Sequence, residues 1–100
     1  MRIEFLPVTE AGIVAAMVDI HYFAAARAAA GRAQDTAQAA TLGELLDVLR
    51  ARHTGSTEAG MSFAEVLERC TFLVDGASAT EDAVLADASR VDVLPPFAGG

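Results

Sequence analysis

The C-terminal residues are the part of this sequence whose types and spacing point most directly to chemistry. Residues 94–100 read Leu-Pro-Pro-Phe-Ala-Gly-Gly. Proline fixes φ and donates no backbone hydrogen bond, so Pro95 and Pro96 are expected to end a strand and direct the chain away from it. Gly99 and Gly100 lack a Cβ atom and fit a channel too narrow for other residues. The sequence therefore predicts an extended arm that presents the Gly100 carboxylate, against the alternative of an ordinary frayed terminus.

A carboxylate at the end of such an arm suggests a carrier. An ionised carboxylate is a poor electrophile and must be activated before a nucleophile can attack it. If Gly100 is joined to AMP, a sulfur donor can displace the nucleotide and leave a thiocarboxylate. Phe97 would anchor the arm in an apolar pocket of a partner, Gly99 and Gly100 would reach the reaction centre, and water would be excluded from the acyl intermediate. Such a carrier needs no catalytic side chain of its own.

The other residues with chemical potential give weaker signals. The sequence contains no G-x-G-x-x-G, phosphate-binding loop, G-x-S-x-G or H-E-x-x-H motif. His21, on the outer face of a strand, and His53, at a helix end, are interpreted as surface histidines, and no metal site is expected. Cys70 completes an apolar helical stripe and is predicted to be a buried, inert thiol rather than a nucleophile. Arg27, alone among alanines, fits an exposed helix residue and a partner contact equally well.

Composition limits the class of protein. One hundred residues suggest one domain. The net charge of −7 argues against nucleic acid and favours basic protein partners. The single cysteine excludes an internal disulfide and fits a reducing compartment. No apolar run approaches the roughly 20 residues of a membrane helix, and the apolar stretch 11–18 lacks a basic flank. A cytoplasmic protein without a membrane or nucleic-acid partner is expected.

Hydrophobic periodicity predicts the elements that would position the arm. Residues 18–22 alternate as in a half-buried strand. Residues 24–30 form a short alanine helix that Gly31 closes, and 32–40 a weak second strand, so that the two strands form a hairpin around the alanine turn. Thr41 and Glu44 form a capping box for the clearest helix, which Gly55 is expected to stop. Its apolar stripe consists of Leu42, Leu45, Leu46 and Leu49.

The second half of the chain repeats this pattern on a smaller scale. Ser62 and Glu65 form another capping box, with an apolar stripe of Phe63, Val66, Leu67 and Cys70. Strands are predicted at 71–74, at 77–80 after an Asp-Gly turn, and around Val91 and Val93. The order predicts an α+β sheet with the main helix across one face and the last strand beside the first.

The N-terminal residues 1–16 give no clear pattern. Because Met17 stands directly before the first convincing strand, 1–16 is interpreted as a dispensable extension and 17–100 as the domain, with the tail at 95–100. The alternative is an additional element packed on the edge of the domain.

The tail Val-Asp-Val-Leu-Pro-Pro-Phe-Ala-Gly-Gly resembles that of the sulfur-carrying subunit of molybdopterin synthase, the MoaD branch of the MoaD/ThiS ubiquitin-like family. The run His-Tyr-Phe-Ala-Ala-Ala-Arg at 21–27, Gly31 and the Leu-Val-Asp-Gly turn at 73–76 are similar to the same family. The resemblance covers about residues 17–100.

This resemblance implies a β-grasp fold, with a mixed sheet of four to five strands wrapped around one main helix. It implies that an E1-like enzyme adenylates Gly100 with ATP and that a sulfur donor protein converts it to the thiocarboxylate. It also implies docking to the large synthase subunit, where sulfur passes to cyclic pyranopterin monophosphate. The carrier is then a co-substrate of a sulfurtransferase and is not catalytic alone; it binds no permanent cofactor. By the family pattern the partner's channel receives residues 95–99, and Phe23, Leu94 and, more weakly, Arg27 belong to the docking surface.

Two other functions remain open at this point. One is a sulfur carrier for another product, such as thiazole, cysteine or thiolated tRNA, because the chemistry is the same up to the thiocarboxylate. The other is a ubiquitin-like modifier linked through Gly100 to lysines of target proteins. The sequence contains no lysine, which excludes chains built through its own side chains but leaves single conjugation possible.

Overall fold

The chain folds into one mixed sheet with helices packed on it; the computed structural model describes residues 15–96. The five strands, in the spatial order β2-β1-β5-β3-β4, are β1 (Ala16–Tyr22), β2 (Gln34–Ala39), β3 (Thr71–Val74), β4 (Ala77–Ala79) and β5 (Arg90–Leu94). The helices are α1 (Ala24–Ala30), α2 (Leu42–Arg52) and α3 (Phe63–Glu68). The β1 and β5 strands are parallel, and the other neighbouring pairs are antiparallel. The predicted β-grasp fold is confirmed, including the position of the last strand beside the first.

The core lies between one face of the sheet and the apolar stripe of α2. Period-2 alternation sends Val18 and Ile20 of β1 and Val91 and Val93 of β5 to this face, where all four are fully buried. The predicted leucine stripe of α2 is buried against them: Leu42, Leu45, Leu46 and Leu49. Each fully buried aliphatic side chain of this kind contributes about 1.5–3 kcal/mol. The period of each element therefore fixes which way it faces.

The ends of the helices follow the capping residues, with one correction. Ser62 and Glu65 form the complete reciprocal box at α3, whereas Thr41 accepts a hydrogen bond from the Glu44 amide without the reciprocal bond among those described. The prediction that Gly55 stops α2 is wrong, because the helix ends at Arg52 and His53 is the C-cap in an extended conformation. Gly55 serves a different need: a Cβ there would lie 2.5 Å from the carbonyl oxygen of Ala29, so only glycine permits this close approach.

The first strand begins inside the predicted N-terminal extension. Ala16 pairs with Ala39 in the sheet, and Ala15 and Ala16 are 4% and 5% exposed. The edge of the domain is therefore at or before Ala15. Residues 1–14 lie outside the described part of the chain, and their dispensability stays a prediction.

None of the helices within residues 15–96 is both long enough and apolar enough to cross a membrane.

Candidate functional site

The parallel pair β1 and β5 brings the end of β5, where the predicted arm begins, next to a predicted docking residue. Because the strands run in the same direction, their C-terminal ends lie at the same end of the sheet. There the amide of Phe23 donates a hydrogen bond to the carbonyl oxygen of Val93 over 3.2 Å. Phe23 is 40% exposed, and Leu94, directly after Val93, is partly exposed. The structure thus places Phe23 and Leu94 side by side at the point where β5 ends.

The strand ends where the prolines begin. β5 stops at Leu94; Pro95 is partly buried, and Pro96 is exposed. Proline cannot donate to the neighbouring strand, which accounts for the end of the ladder at this residue. The predicted channel and carrier residues Phe97, Ala98, Gly99 and Gly100 lie outside the described residues, so their roles stay predictions.

A sharp turn separates Phe23 from helix α1. Ala24 has φ of +50°, in the left-handed region that residues with a Cβ rarely adopt. A non-glycine residue held there costs on the order of 1–2 kcal/mol. The turn redirects the chain directly after Phe23 into α1, which contacts β1, β5 and α3. Strain of this kind at the base of the arm indicates that the position of Phe23 is held by its surroundings.

Arg27, the third predicted docking residue, lies on the first turns of α1. Its amide is 3.4 Å from the carbonyl oxygen of Phe23, and its side chain is exposed. Phe23 is the extended N-cap of this helix and Arg27 follows four residues later, and both residues are exposed. Arg27 also lines a shallow groove whose other walls come from Ala24, Ala28, Gly31, Arg32 and Ala33.

The residue before Phe23 belongs to a buried polar cluster that the sequence did not predict. Tyr22 is 2% exposed, and its hydroxyl lies 3.1 Å from Nε2 of His53 and 3.2 Å from Oδ2 of Asp35. His53 Nε2 is in turn 2.8 Å from the same Asp35 oxygen. The interpretation of His53 as a surface histidine is wrong: its side chain is 9% exposed and its ring packs between Tyr22 and Phe63. The extended backbone at this C-cap turns the imidazole towards the sheet instead of continuing along the helix surface.

Asp35 is the common acceptor of this cluster, which we call the Asp35 hub (Tyr22, Asp35, Arg52 and His53). Oδ1 accepts hydrogen bonds from Arg52 over 2.8 Å, from the Thr36 amide over 3.1 Å and from Arg32 over 3.3 Å. The Asp35 side chain is only 6% exposed. The hub therefore joins the end of β1 to β2 and to the last turn of α2, and it fixes the segment that leads into Phe23.

The charges in the hub follow from these contacts. Burial acts to raise the pKa of Asp35, but the hydrogen bonds from His53 and Arg52 outweigh it and hold this pKa below its ordinary value. Burial and the negative charge of Asp35 raise the pKa of Tyr22. Tyr22 is thus a neutral donor to an ionised carboxylate. The one sequence signal for the hub was the alternation of β2, which sends Asp35 inward with Ala37 and Ala39.

Two candidates from the sequence remain, His21 and Cys70. His21 is partly exposed on the outer face of the sheet, between Gln34 and Asp92 by strand register, as predicted. Cys70 is half-buried, its thiol donates to the carbonyl oxygen of Val66 over 3.1 Å, and burial raises its pKa to about 11. Such a thiol is a poor nucleophile at neutral pH. Within residues 15–96, no three histidine, cysteine or carboxylate side chains are placed to bind a metal ion.

Comparisons with known proteins place this arrangement in a family. The ThiS family matches residues 20–100. SAMP1 from Haloferax volcanii is 22% identical, with a TM-score of 0.66 over 84% of this chain and 99% of that chain. A putative molybdopterin converting factor subunit 1 from Pyrococcus furiosus is 23% identical, with a TM-score of 0.64 over 82% and 99%.

The chain is also similar to a structure solved as a complex. That structure contains subunits 1 and 2 of the molybdopterin-converting factor from Helicobacter pylori. The matched chain of that structure is 22% identical to this protein, with a TM-score of 0.59 over 84% of this chain and 99% of the matched chain. At these identities the solved structures establish a shared fold. A search of curated proteins gave no match.

Proposed function

The chain belongs to the ThiS family of ubiquitin-like sulfur carriers, and on that premise we propose that it is the small subunit of a molybdopterin synthase. In this proposal Gly100 is adenylated, converted to a thiocarboxylate and used to deliver sulfur to cyclic pyranopterin monophosphate. The protein is a co-substrate that other proteins act on, and an E1-like adenylating enzyme, a sulfur donor protein and a large synthase subunit are its partners.

The observation that carries the proposal is the way the central strand leads into the tail. β5 is hydrogen-bonded on both sides, to β1 and β3, and it ends directly before Pro95 and Pro96. A rigid central strand gives the arm a fixed starting point and direction, which a channel in a partner requires. Phe23 is exposed and Leu94 is partly exposed beside that point. The family match runs through Gly100.

The proposed chemistry proceeds in two balanced steps. The Gly100 carboxylate attacks the α-phosphorus of ATP, pyrophosphate leaves, and an acyl-adenylate forms. A sulfide equivalent from the donor then attacks the acyl carbon, the acyl–oxygen bond breaks, and AMP leaves with its electron pair. The product is a thiocarboxylate, and the proton of the sulfide goes to solvent. This carrier's own residues supply the docking surface and the arm and take no proton in either step.

The tail favours the molybdopterin branch within the family. The ending Leu-Pro-Pro-Phe-Ala-Gly-Gly resembles the small synthase subunit. Two similar folds are also described as molybdopterin-converting factor subunits, one of them in complex with subunit 2. A second candidate is a protein modifier. The fold is about equally similar to that of SAMP1, and the Methanosarcina acetivorans SAMP1 structure is described as a small archaeal modifier protein.

The carrier hypothesis is tested by intact mass. The protein is incubated with an E1-like adenylating enzyme, ATP and sulfide, and weighed. We expect a mass increase equal to the replacement of one oxygen by sulfur, absent from a variant that lacks Gly100. An unchanged mass with an enzyme that is active on another carrier would refute the proposal.

The acceptor is tested with the thiocarboxylate form. Combined with a large synthase subunit and the pterin precursor, it should convert the precursor, and it should do so only with that subunit. Conversion without the subunit, or none with it, contradicts the molybdopterin assignment. Covalent adducts on target lysines in place of conversion would support the modifier.

A further inference from the structure

One groove near the base of the arm carries two arginines with no large side chain between them. It is lined by Arg27 and Arg32, and its remaining walls are Ala24, Ala28, Gly31 and Ala33. Gly31 has φ of +75°, which turns the chain at the end of α1 so that Arg32 comes back beside the helix. Small side chains leave both guanidinium groups open to approach from outside.

The charge of this groove is opposite to that of the protein. The chain has a net charge of −7. Among the described residues, Arg50, Arg52 and Arg90 each contact a carboxylate oxygen at 2.7–2.9 Å. Arg27 and Arg69 have no carboxylate of the described residues within ion-pair distance, and of these two only Arg27 lines the groove.

Arg32 is only loosely engaged by its own chain. Its contact with Asp35 is 3.3 Å long, the longest of the ion-pair contacts to this carboxylate, and its side chain is 57% exposed. Asp35 already accepts shorter hydrogen bonds from Arg52 and His53. The guanidinium of Arg32 can therefore turn towards an external anion while the Asp35 hub stays satisfied.

We propose that this groove receives an acidic loop of the E1-like adenylating enzyme, with carboxylates paired to Arg27 and Arg32. The proposal rests on the proposed function, because it assigns the chemistry of one partner of the same site. The adenylating enzyme is the fitting occupant since every carrier or modifier that reacts through its C-terminal carboxylate must first be activated. Guanidinium groups match carboxylates in shape and charge, and two of them select a loop with more than one acidic residue.

Phe23 adds an apolar contact next to this charged one. It is the N-cap of α1, its carbonyl oxygen accepts a hydrogen bond from the Arg27 amide, and it is 40% exposed. A partner surface that fits both must present an apolar pocket flanked by acidic residues. The apolar pocket would supply affinity, and the charges would set orientation and the rate of association. Because the carrier is acidic overall, an acidic loop needs a locally basic surface on which to dock, and the two arginines of the groove provide one.

The test measures binding and adenylation for three charge reversals. Arg27→Glu and Arg32→Glu change the groove, and Arg50→Glu is the control, because it alters the net charge equally on α2, away from both guanidinium groups. We expect each groove variant to bind the adenylating enzyme about tenfold more weakly at low salt. The difference should shrink as salt is raised, and Arg50→Glu should bind like wild type. Ala28→Leu, which fills the groove without a change in charge, should also weaken binding.

The outcomes separate this inference from the proposed function. If wild type is never adenylated, both fall. If wild type is converted to the thiocarboxylate and both groove variants bind like Arg50→Glu, the sulfur carrier stands and the groove is not the contact. Tighter binding by the reversals would show a basic partner surface and overturn the inference. Circular dichroism melting of each variant controls for folding, and exposed positions such as 27 and 28 should melt close to wild type.

Discussion

Replacement of Asp35 by alanine should lower the free energy of unfolding by more than the loss of an exposed carboxylate would, because Asp35 is buried and shared by several donors. Asp35→Ala deprives Tyr22, His53 and Arg52 of a shared acceptor. Each neutral donor left unsatisfied in a buried place costs about 1–3 kcal/mol. Arg52 is 37% exposed and can turn to water, so its pair adds about 0.5 kcal/mol at most.

The remaining partners recover part of this loss. Tyr22 and His53 lie 3.1 Å apart and can hydrogen-bond to each other once the imidazole changes tautomer. The expected net loss is therefore about 2 kcal/mol of the free energy of unfolding, which corresponds to a fall in Tm of about 8–16 °C for a domain of this size. Asp35→Asn, which keeps one acceptor oxygen, should lose about half as much.

Urea denaturation followed by circular dichroism measures this effect. The matched control is Asp47→Ala, which removes a carboxylate that is 79% exposed and that, within residues 15–96, pairs only with Arg50 on the same helix. That variant should stay within about 0.5 kcal/mol of wild type. The m-value should be the same in all variants. Equal stability of Asp35→Ala and Asp47→Ala would refute the hub as a stabilising element.

Three further predictions concern acid stability, packing and thiol reactivity. The pKa of Asp35 is lowered from 3.8 in the folded state, so its contribution to stability is present above about pH 4 and is lost as the pH falls through the folded-state pKa. In urea titrations between pH 5 and 2, wild type should therefore lose more stability than Asp35→Asn. Gly55→Ala places a Cβ 2.5 Å from the Ala29 carbonyl oxygen and should lower the free energy of unfolding by about 1–3 kcal/mol. A Cβ at Gly60 meets no atom within 4 Å, so Gly60→Ala should lose only about 1 kcal/mol, because of its φ of +83°. Similar melting temperatures for the two variants would contradict the close approach at Gly55. Since burial raises the pKa of Cys70 to about 11, the native thiol should react with a disulfide reagent at pH 8 much more slowly than the same protein in urea, and equal rates would show an open thiol.

Elements with a strong period were predictable from the sequence. The alternation of Val18, Ile20 and Tyr22 predicts which face of β1 is buried. The leucine stripe predicts the same for α2. The pairing of β5 with β1 followed because the two most hydrophobic strands occupy the centre of a sheet. These inferences need only local spacing and burial.

The Asp35 hub was not predictable, because it depends on which elements meet. His53 is 18 residues from Asp35 and 31 from Tyr22 along the chain. Each of the three looks ordinary in its own segment, and their common site exists only once α2 crosses the edge of β2. The groove was missed for a similar reason, since the turn at Gly31 brings Arg32 beside Arg27. The neighbourhood of Phe23 and Leu94 was expected from the family resemblance rather than from spacing.

The parallel alignment of β1 and β5 also determines how the domain responds to force. A pull on the arm is transmitted along β5, and the hydrogen bonds that join β5 to β1 and β3 lie across that direction. If a partner grips the body of the domain and draws the tail inward, these bonds are loaded together in shear instead of being opened one at a time. We therefore expect the domain to resist mechanical extraction from its C-terminus; in the proposed function, this resistance lets the arm enter and leave a partner's channel without unravelling β5.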